Sequence, residues 1–90
     1  MKKTVVSVIG KDAVGITAKV SAVCAEVGAN IIDISQSVLD DIFVMVMLTD
    51  IDNINCNFKD FSNKMQEIGK EINVEIHVMH EDIFNSMHEI

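Results

Sequence analysis

The chain has 90 residues, near the lower end of what folds alone, so its length predicts one compact domain over residues 1–90 with no room for a linker. A hydrophobic fraction of 49% with 23% charged residues excludes a disordered chain, a collagen-like repeat and a coiled-coil rod. The formal charge of -7 has the wrong sign for gripping a phosphate backbone or an anionic lipid surface, which argues against nucleic acid and membrane as direct partners.

The longest apolar run, Ile42 to Leu48, is about a third of the roughly 20 residues a membrane helix requires. Met1-Lys2-Lys3 carries the charge of a signal peptide, but the apolar stretch after it stops at Gly10 without a small-residue cleavage site, so the chain reads as cytoplasmic. The cysteines, Cys24 on an expected apolar helix face and Cys56 in a polar loop, form no CxxC pair and read as reduced thiols.

Thr4 to Ile9 is short, β-branched and ends at Gly10, which predicts a first strand. After Lys11-Asp12-Ala13-Val14-Gly15, the residues Ile16, Val20, Val23, Cys24 and Val27 recur at helical spacing, predicting a helix of about four turns. Asp12 is placed to cap its first-turn amides, and Gly28 to supply a left-handed stop. Asn30 to Leu39 partly alternates, Asp40-Asp41 breaks the pattern, and Ile42 to Leu48 resumes it, which predicts two strands joined by a tight hairpin. Phe58, Phe61, Met65 and Ile68 form a second helical stripe, closed by Gly69. Ile72, Val74, Ile76 and Val78 then alternate with polar residues and Met79 as a fourth strand. In the tail, residues 81–90, Ile83, Phe84, Met87 and Ile90 fall on one side of a short helix that is too short to stand alone and must dock.

Strand, helix, strand, strand, helix, strand, joined by right-handed crossovers, predicts an α+β, ferredoxin-like βαββαβ fold: a four-stranded antiparallel sheet with two helices on one face, plus the C-terminal helix. Phe43, Met45 and Met47 then lie on one face of the third strand and Val44, Val46 and Leu48 on the other, so a monomer leaves apolar area uncovered and a homodimer is expected.

The span Val8-Ile9-Gly10-Lys11-Asp12-Ala13-Val14-Gly15-Ile16, followed by Gly28-Ala29-Asn30-Ile31, resembles the ACT domain, a ferredoxin-like regulatory module that commonly binds amino acids. The resemblance covers about residues 3–80 and includes the order of the elements. The string Asp33-Ile34-Ser35-Gln36-Ser37-Val38-Leu39-Asp40 is most similar to small stand-alone bacterial ACT proteins and to the ACT halves of glycine-cleavage repressor-type regulators. Many ACT domains carry proline just before the second glycine, where this chain has Val14 and no proline at all.

The resemblance implies a ligand site at Gly10, Lys11, Asp12, Ala13, Val14, Gly15, Ile16, Asn30 and Ile31, completed by a second subunit. The chemistry of the loop suits such a ligand: a helix amino terminus offers unpaired amides to a carboxylate, and glycines permit close approach. Asp12, the Asn30 side chain or strand-end carbonyls are the available acceptors for an ammonium group. The plainer reading of the same residues is that Asp12 caps, the glycines shape a turn and Asn30 pins the next strand.

Other constellations are less productive. His77 and His80 gather near Glu81 and Asp82, with His88 within reach of a helical tail, but His77 and His80 point to opposite faces of one strand and cannot share an ion, so no metal site is expected. Ser35, Ser37, Asp33 and Gln36 have no histidine placed near them as a base, and the chain lacks the arginine on which acylphosphatases of this architecture rely. RNA binding on the same architecture requires aromatic platforms and a basic surround, neither of which is present.

The sequence thus points to a non-enzymatic ACT domain without cofactor, binding a small metabolite such as an amino acid across a homodimer and acting on a regulated protein partner. The alternative is a ligand-free dimeric protein–protein interaction module.

Overall fold

The computed structural model describes residues 2–87. The chain runs β1 (Lys3–Lys11), α1 (Ile16–Val27), β2 (Asn30–Leu39), β3 (Ile42–Asp50), α2 (Phe58–Ile72), β4 (Val74–His80) and α3 (Glu81–Met87). The strands form one antiparallel sheet in the order β2-β3-β1-β4. This is the expected ferredoxin-like fold.

One face of the sheet packs against α1 and α2. The apolar positions of α1 spaced three and four apart, Ile16, Val20, Val23, Cys24 and Val27, are all buried. They meet Val6 and Val8 of β1, Met45 and Met47 of β3, and Phe61 and Met65 of α2 in one cluster. Phe61 has no exposed surface, and burying a ring of that size contributes about 2 to 3 kcal/mol. The only buried polar side chains of the described residues, Thr4 and Thr49, face each other across the β1–β3 ladder and share a hydroxyl hydrogen bond. The connection leading into α2 is tied to the end of α1, where Asn55 donates from its side chain to the Glu26 carbonyl at 2.9 Å and from its backbone to the Val27 carbonyl at 2.9 Å.

Gly28 adopts φ 82 at the end of α1, as expected for a left-handed stop. The 12-residue α1 is nearer three turns than four. The end of α2 differs from expectation. The helix does not stop at Gly69 but continues to Ile72, and Asn73 takes the left-handed position with φ 62. Asn tolerates that conformation. Gly69 serves the packing instead: a β-carbon there would come within 2.7 Å of the Val74 carbonyl oxygen. Ile72 accordingly belongs to the helix, and β4 begins at Val74.

The irregular alternation of β2 also has a structural cause. Ile31 pairs with Thr49 and Asp33 with Leu48, so Ile32 is an extra, bulged residue. The bulge resets the faces and brings Ile34, Gln36 and Val38 to the side of the helices, opposite Met47, Met45 and Phe43.

The tail helix α3 docks on its own subunit, against β1 and β4. Val5, which points to the face without α1 and α2, is 4% exposed, whereas Ile9 on the same face of the same strand is 48% exposed. The tail therefore covers one end of that face and leaves the other open. Val44, Val46 and Leu48 between them are half-buried by their neighbours in the sheet. Ile90 and His88 lie outside the described residues.

Candidate functional site

The first strand-to-helix connection is built from residues that divide into two groups. Gly10 and Lys11 are strand, not loop: Gly10 pairs with Phe43 on one side and Val74 on the other, and Lys11 pairs with Ile42. Gly10 is required by packing, since a β-carbon would lie 2.7 Å from the Val74 Cγ1 and 2.9 Å from its Cα. Asp12, Ala13 and Val14 form the turn proper and are exposed. The Asp12 amide donates to the Asp41 carbonyl at 2.8 Å, which ties the loop to the β2–β3 turn, where Asp40 sits at φ 62.

Gly15, with φ 91, is the residue from which α1 starts. Only glycine adopts this backbone freely. Beyond its own chain neighbours, no heavy atom lies within 4 Å of the place where its β-carbon would stand, so the space beside it is open. No side chain caps the helix there, which corrects the expectation for Asp12: its carboxylate makes no capping hydrogen bond, because the cap position falls three residues later at Gly15. The first turn also lacks an acidic residue. The amino terminus of α1 thus keeps its unpaired amides and its partial positive charge unanswered by the chain's own side chains, in a protein that is otherwise strongly acidic.

Two further side chains converge on this turn that the sequence did not single out together. Thr17 donates its hydroxyl to Gln36 Oε1 at 3.1 Å, and lies 4.0 Å from the Met45 sulfur. With its oxygen engaged, the exposed Gln36 side chain keeps its amide N–H groups as donors. The signal was hidden by the β2 bulge, which alone brings Gln36 to the helix side.

Asn30 and Ile31 are placed elsewhere. Asn30 pairs with Asp50, which pairs with Lys3, whereas the loop follows Lys11, whose neighbours across the sheet are Ile42 and Leu39. Eight strand steps, about 26 Å, separate the two ends. Within one subunit Asn30 and Ile31 therefore do not meet residues 10–16.

Away from this end, the His80 ring stacks on Phe58 with centroids 4.3 Å apart, and His77 lies 4.0 Å from Glu75 on the other face. Among the described residues no group of three metal-capable side chains occurs. Burial pushes the Cys24 thiol up to about 11, a group buried against the Met47 sulfur at 3.9 Å. No helix among the described residues is long and apolar enough to cross a membrane.

Comparison with known proteins adds the following. Residues 2–79 match the model of the ACT domain family. A UPF0237 protein of Methanocaldococcus jannaschii is 48% identical over 90 residues, covering all of both chains. The similarity thus extends to archaeal proteins and is not confined to the bacterial ones. An ACT domain protein from Streptococcus pneumoniae has a structure that superposes with a TM-score of 0.81 at 40% identity, covering 92% of this chain and 93% of that one. A protein given the proposed identity of a glycine cleavage system transcriptional repressor shares the fold, with a TM-score of 0.76 at 20% identity over 88% of this chain and 45% of that one.

Proposed function

Because the chain belongs to the ACT domain family of regulatory ligand-binding domains, we propose that it is a non-enzymatic sensor of a small metabolite, an amino acid, held where the β1–α1 loop meets a second copy of the chain. The observation that carries this reading is the start of α1: a left-handed Gly15 with open space beside it and no side-chain cap. Unpaired amides at a helix amino terminus suit a carboxylate. The amide of Gln36, whose oxygen is held by Thr17, adds a donor to the same set. The ammonium group is met by Asp12, by carbonyls at the end of β1, and by Asn30 of the partner subunit.

The partner's contribution follows from the sheet edge. β2 is a ten-residue edge strand, exposed at every position but Ile31, and it carries a single charge, Asp33. A long edge of this kind pairs readily with another strand. Antiparallel pairing of β2 with β2 of a second copy sets the start of one strand beside the end of the other, which carries Asn30 of the partner subunit to the loop end of the first. The separation of about 26 Å along the strands is thereby removed across two copies, leaving the three strand spacings, about 14 Å, between Lys11 and Asn30 of the partner subunit, on the side toward which the loop is tied through Asp41.

Ligand held between two subunits changes dimer geometry, or affinity for a regulated protein partner, by its differential binding to two states. A cytoplasmic location accords with the absence of a membrane helix among the described residues. The test is a thermal-shift screen of the purified chain against the twenty amino acids and related small carboxylates. A native-state ligand at 100 times its dissociation constant adds about 2.7 kcal/mol, roughly ten degrees or more for a domain of this size. A shift with one compound, abolished in Asp12→Ala and Asn30→Ala, supports the sensor. A folded dimer silent across the panel favours the ligand-free interaction module.

A further inference from the structure

We propose that β4 is a second self-recognition edge, along which two copies of this chain pair antiparallel about Ile76. β4 closes the sheet on the side opposite β2. One row of its backbone N–H and C=O groups therefore has no neighbouring strand among the described residues, and such a row is a template for pairing.

Space for an added strand lies beside it. A cavity of about 230 Å³ runs between α2 and the β4 edge, lined by Gln66, Lys70, Val74, Glu75, Ile76 and His77. A second, of about 310 Å³, continues it past Asn73 toward Ile9 and Gly10. The lining of the first mixes apolar Val74 and Ile76 with the polar Gln66, Lys70, Glu75 and His77, and the long side chains of Gln66 and Lys70 can lay their hydrocarbon stems along an apolar side chain while keeping their polar ends in water.

The order of residues in β4 identifies the occupant. Val74-Glu75-Ile76-His77-Val78 reads apolar, acidic, apolar, basic, apolar, and is complementary to itself in reverse. A two-fold axis at Ile76 sets Glu75 opposite the partner's His77, His77 opposite the partner's Glu75, and Val74 opposite the partner's Val78. The carboxylate accepts from an imidazole N–H whether or not the ring carries a second proton. Moving the axis to His77 sets two imidazoles together and leaves Glu75 opposite the partner's Met79. Moving it to Glu75 opposes two carboxylates, which is destabilising for directly facing strand residues. Charge complementarity selects the Ile76 register.

Both side chains are available. Glu75 is 79% and His77 59% exposed, and the 4.0 Å between them within the strand is the outer limit of an ion pair. Ile76 and Val74 point to the helix side and are buried there beneath α2, at 4% and 8% exposed, so the contact is made by the backbone ladder and by the Glu–His pairs on the other face. β2 and β4 are opposite edges, so this contact is independent of the β2 contact and of any ligand. The net charge of -7 opposes association over long range, but at about 0.15 M salt charges more than about 8 Å apart are largely screened.

Sedimentation of the full chain over a range of concentrations at that salt tests the proposal. Glu75→Lys and His77→Glu each destroy the complementarity, and the double variant restores it with the signs exchanged. Each single variant is expected to lose one association step of the wild type, weakening it about tenfold or more, and the double variant to recover it. Both positions are exposed, so circular dichroism stays unchanged throughout. Single variants that associate like the wild type, or a double variant as weak as either single, overturn the proposal. The readout needs no ligand: loss of the amino-acid response leaves it intact, and Glu75→Lys keeps that response if both readings hold.

Discussion

Gly10→Ala separates a packing role from a ligand-loop role for the first glycine of the motif. The new β-carbon would stand 2.7 Å from Val74 Cγ1 and 2.9 Å from both Val74 Cα and Cβ. Ordinary carbon–carbon separation is about 3.5 to 4.0 Å, so the strands have to move apart by several tenths of an ångström. The α-carbon of Val74 is backbone, held in the β1–β4 ladder directly opposite Gly10, so no rotamer change relieves the clash with it. Overpacking of this kind costs about 1 to 3 kcal/mol. Alanine recovers about 0.4 to 1 kcal/mol by restricting the unfolded chain, leaving a net loss of roughly 1 to 2 kcal/mol. For a domain of this size that lowers Tm by about 5 to 15 degrees. Urea denaturation monitored by circular dichroism measures the loss directly. In a Val74→Ala background the Cγ1 atom at 2.7 Å is gone, and the penalty of Gly10→Ala should shrink, giving a measurable coupling. A Gly10→Ala protein as stable as the wild type would falsify the packing argument.

Three other outcomes follow from the same structure. Thr49→Val strands the fully buried Thr4 hydroxyl and should cost about 1 to 3 kcal/mol, whereas Thr4→Val leaves the Thr49 hydroxyl donating to the Thr4 backbone carbonyl at 3.4 Å and should cost less, as should the double replacement, which removes both hydroxyls; equilibrium unfolding of the three variants decides. Asn57→Ala removes the side-chain acceptor for the Asp60 amide at the start of α2 and should cost about 1 kcal/mol, while Asp12→Ala, which caps nothing, should change stability by less than about 0.5 kcal/mol; the reverse ranking in urea titrations would contradict the cap assignments. The third concerns Cys24, whose thiol is raised by burial from 9.0 to about 11. The folded state holds this proton more tightly than the unfolded chain, so its contribution is complete below pH 9 and is lost as pH rises toward 11, by roughly 2 to 3 kcal/mol in total. Unfolding free energies of the wild type and Cys24→Ala across that window should converge as pH rises; parallel curves would remove the buried thiol from the account.

The element order, the helical stripes and the Gly28 stop were legible because each follows from local spacing or from one residue's backbone preference. The ends of α2 and β4 were not, because Gly69 reads as a stop on local grounds, and only the return of the chain through the left-handed Asn73, which brings Val74 and Ile76 against it, makes it an interior glycine. The same holds for Gly10. The β2 bulge hid Gln36, since a bulge is set by the partner strand and leaves only a broken alternation behind. Asp12 illustrates the opposite case: the residue type suits a cap, but the position of a cap depends on where the helix begins, and here a left-handed glycine begins it. Asn30 was placed with the loop by motif alone, and the crossover geometry of a strand–helix–strand unit sends it to the far end of the sheet.

The central claim is that a ligand site takes its loop from one subunit and Asn30 from another. It is tested most directly by mixing, under conditions that allow subunits to exchange, Asp12→Ala with Asn30→Ala, and titrating the mixture calorimetrically with the amino acid found to stabilise the wild type. Each variant alone should fail to bind. In an equal mixture half the dimers contain one subunit of each kind, and each of these has one intact site, so binding should return to about a quarter of the wild-type sites with wild-type affinity. A mixture as silent as its components, while exchange is verified and the wild type binds, would contradict a site shared between subunits.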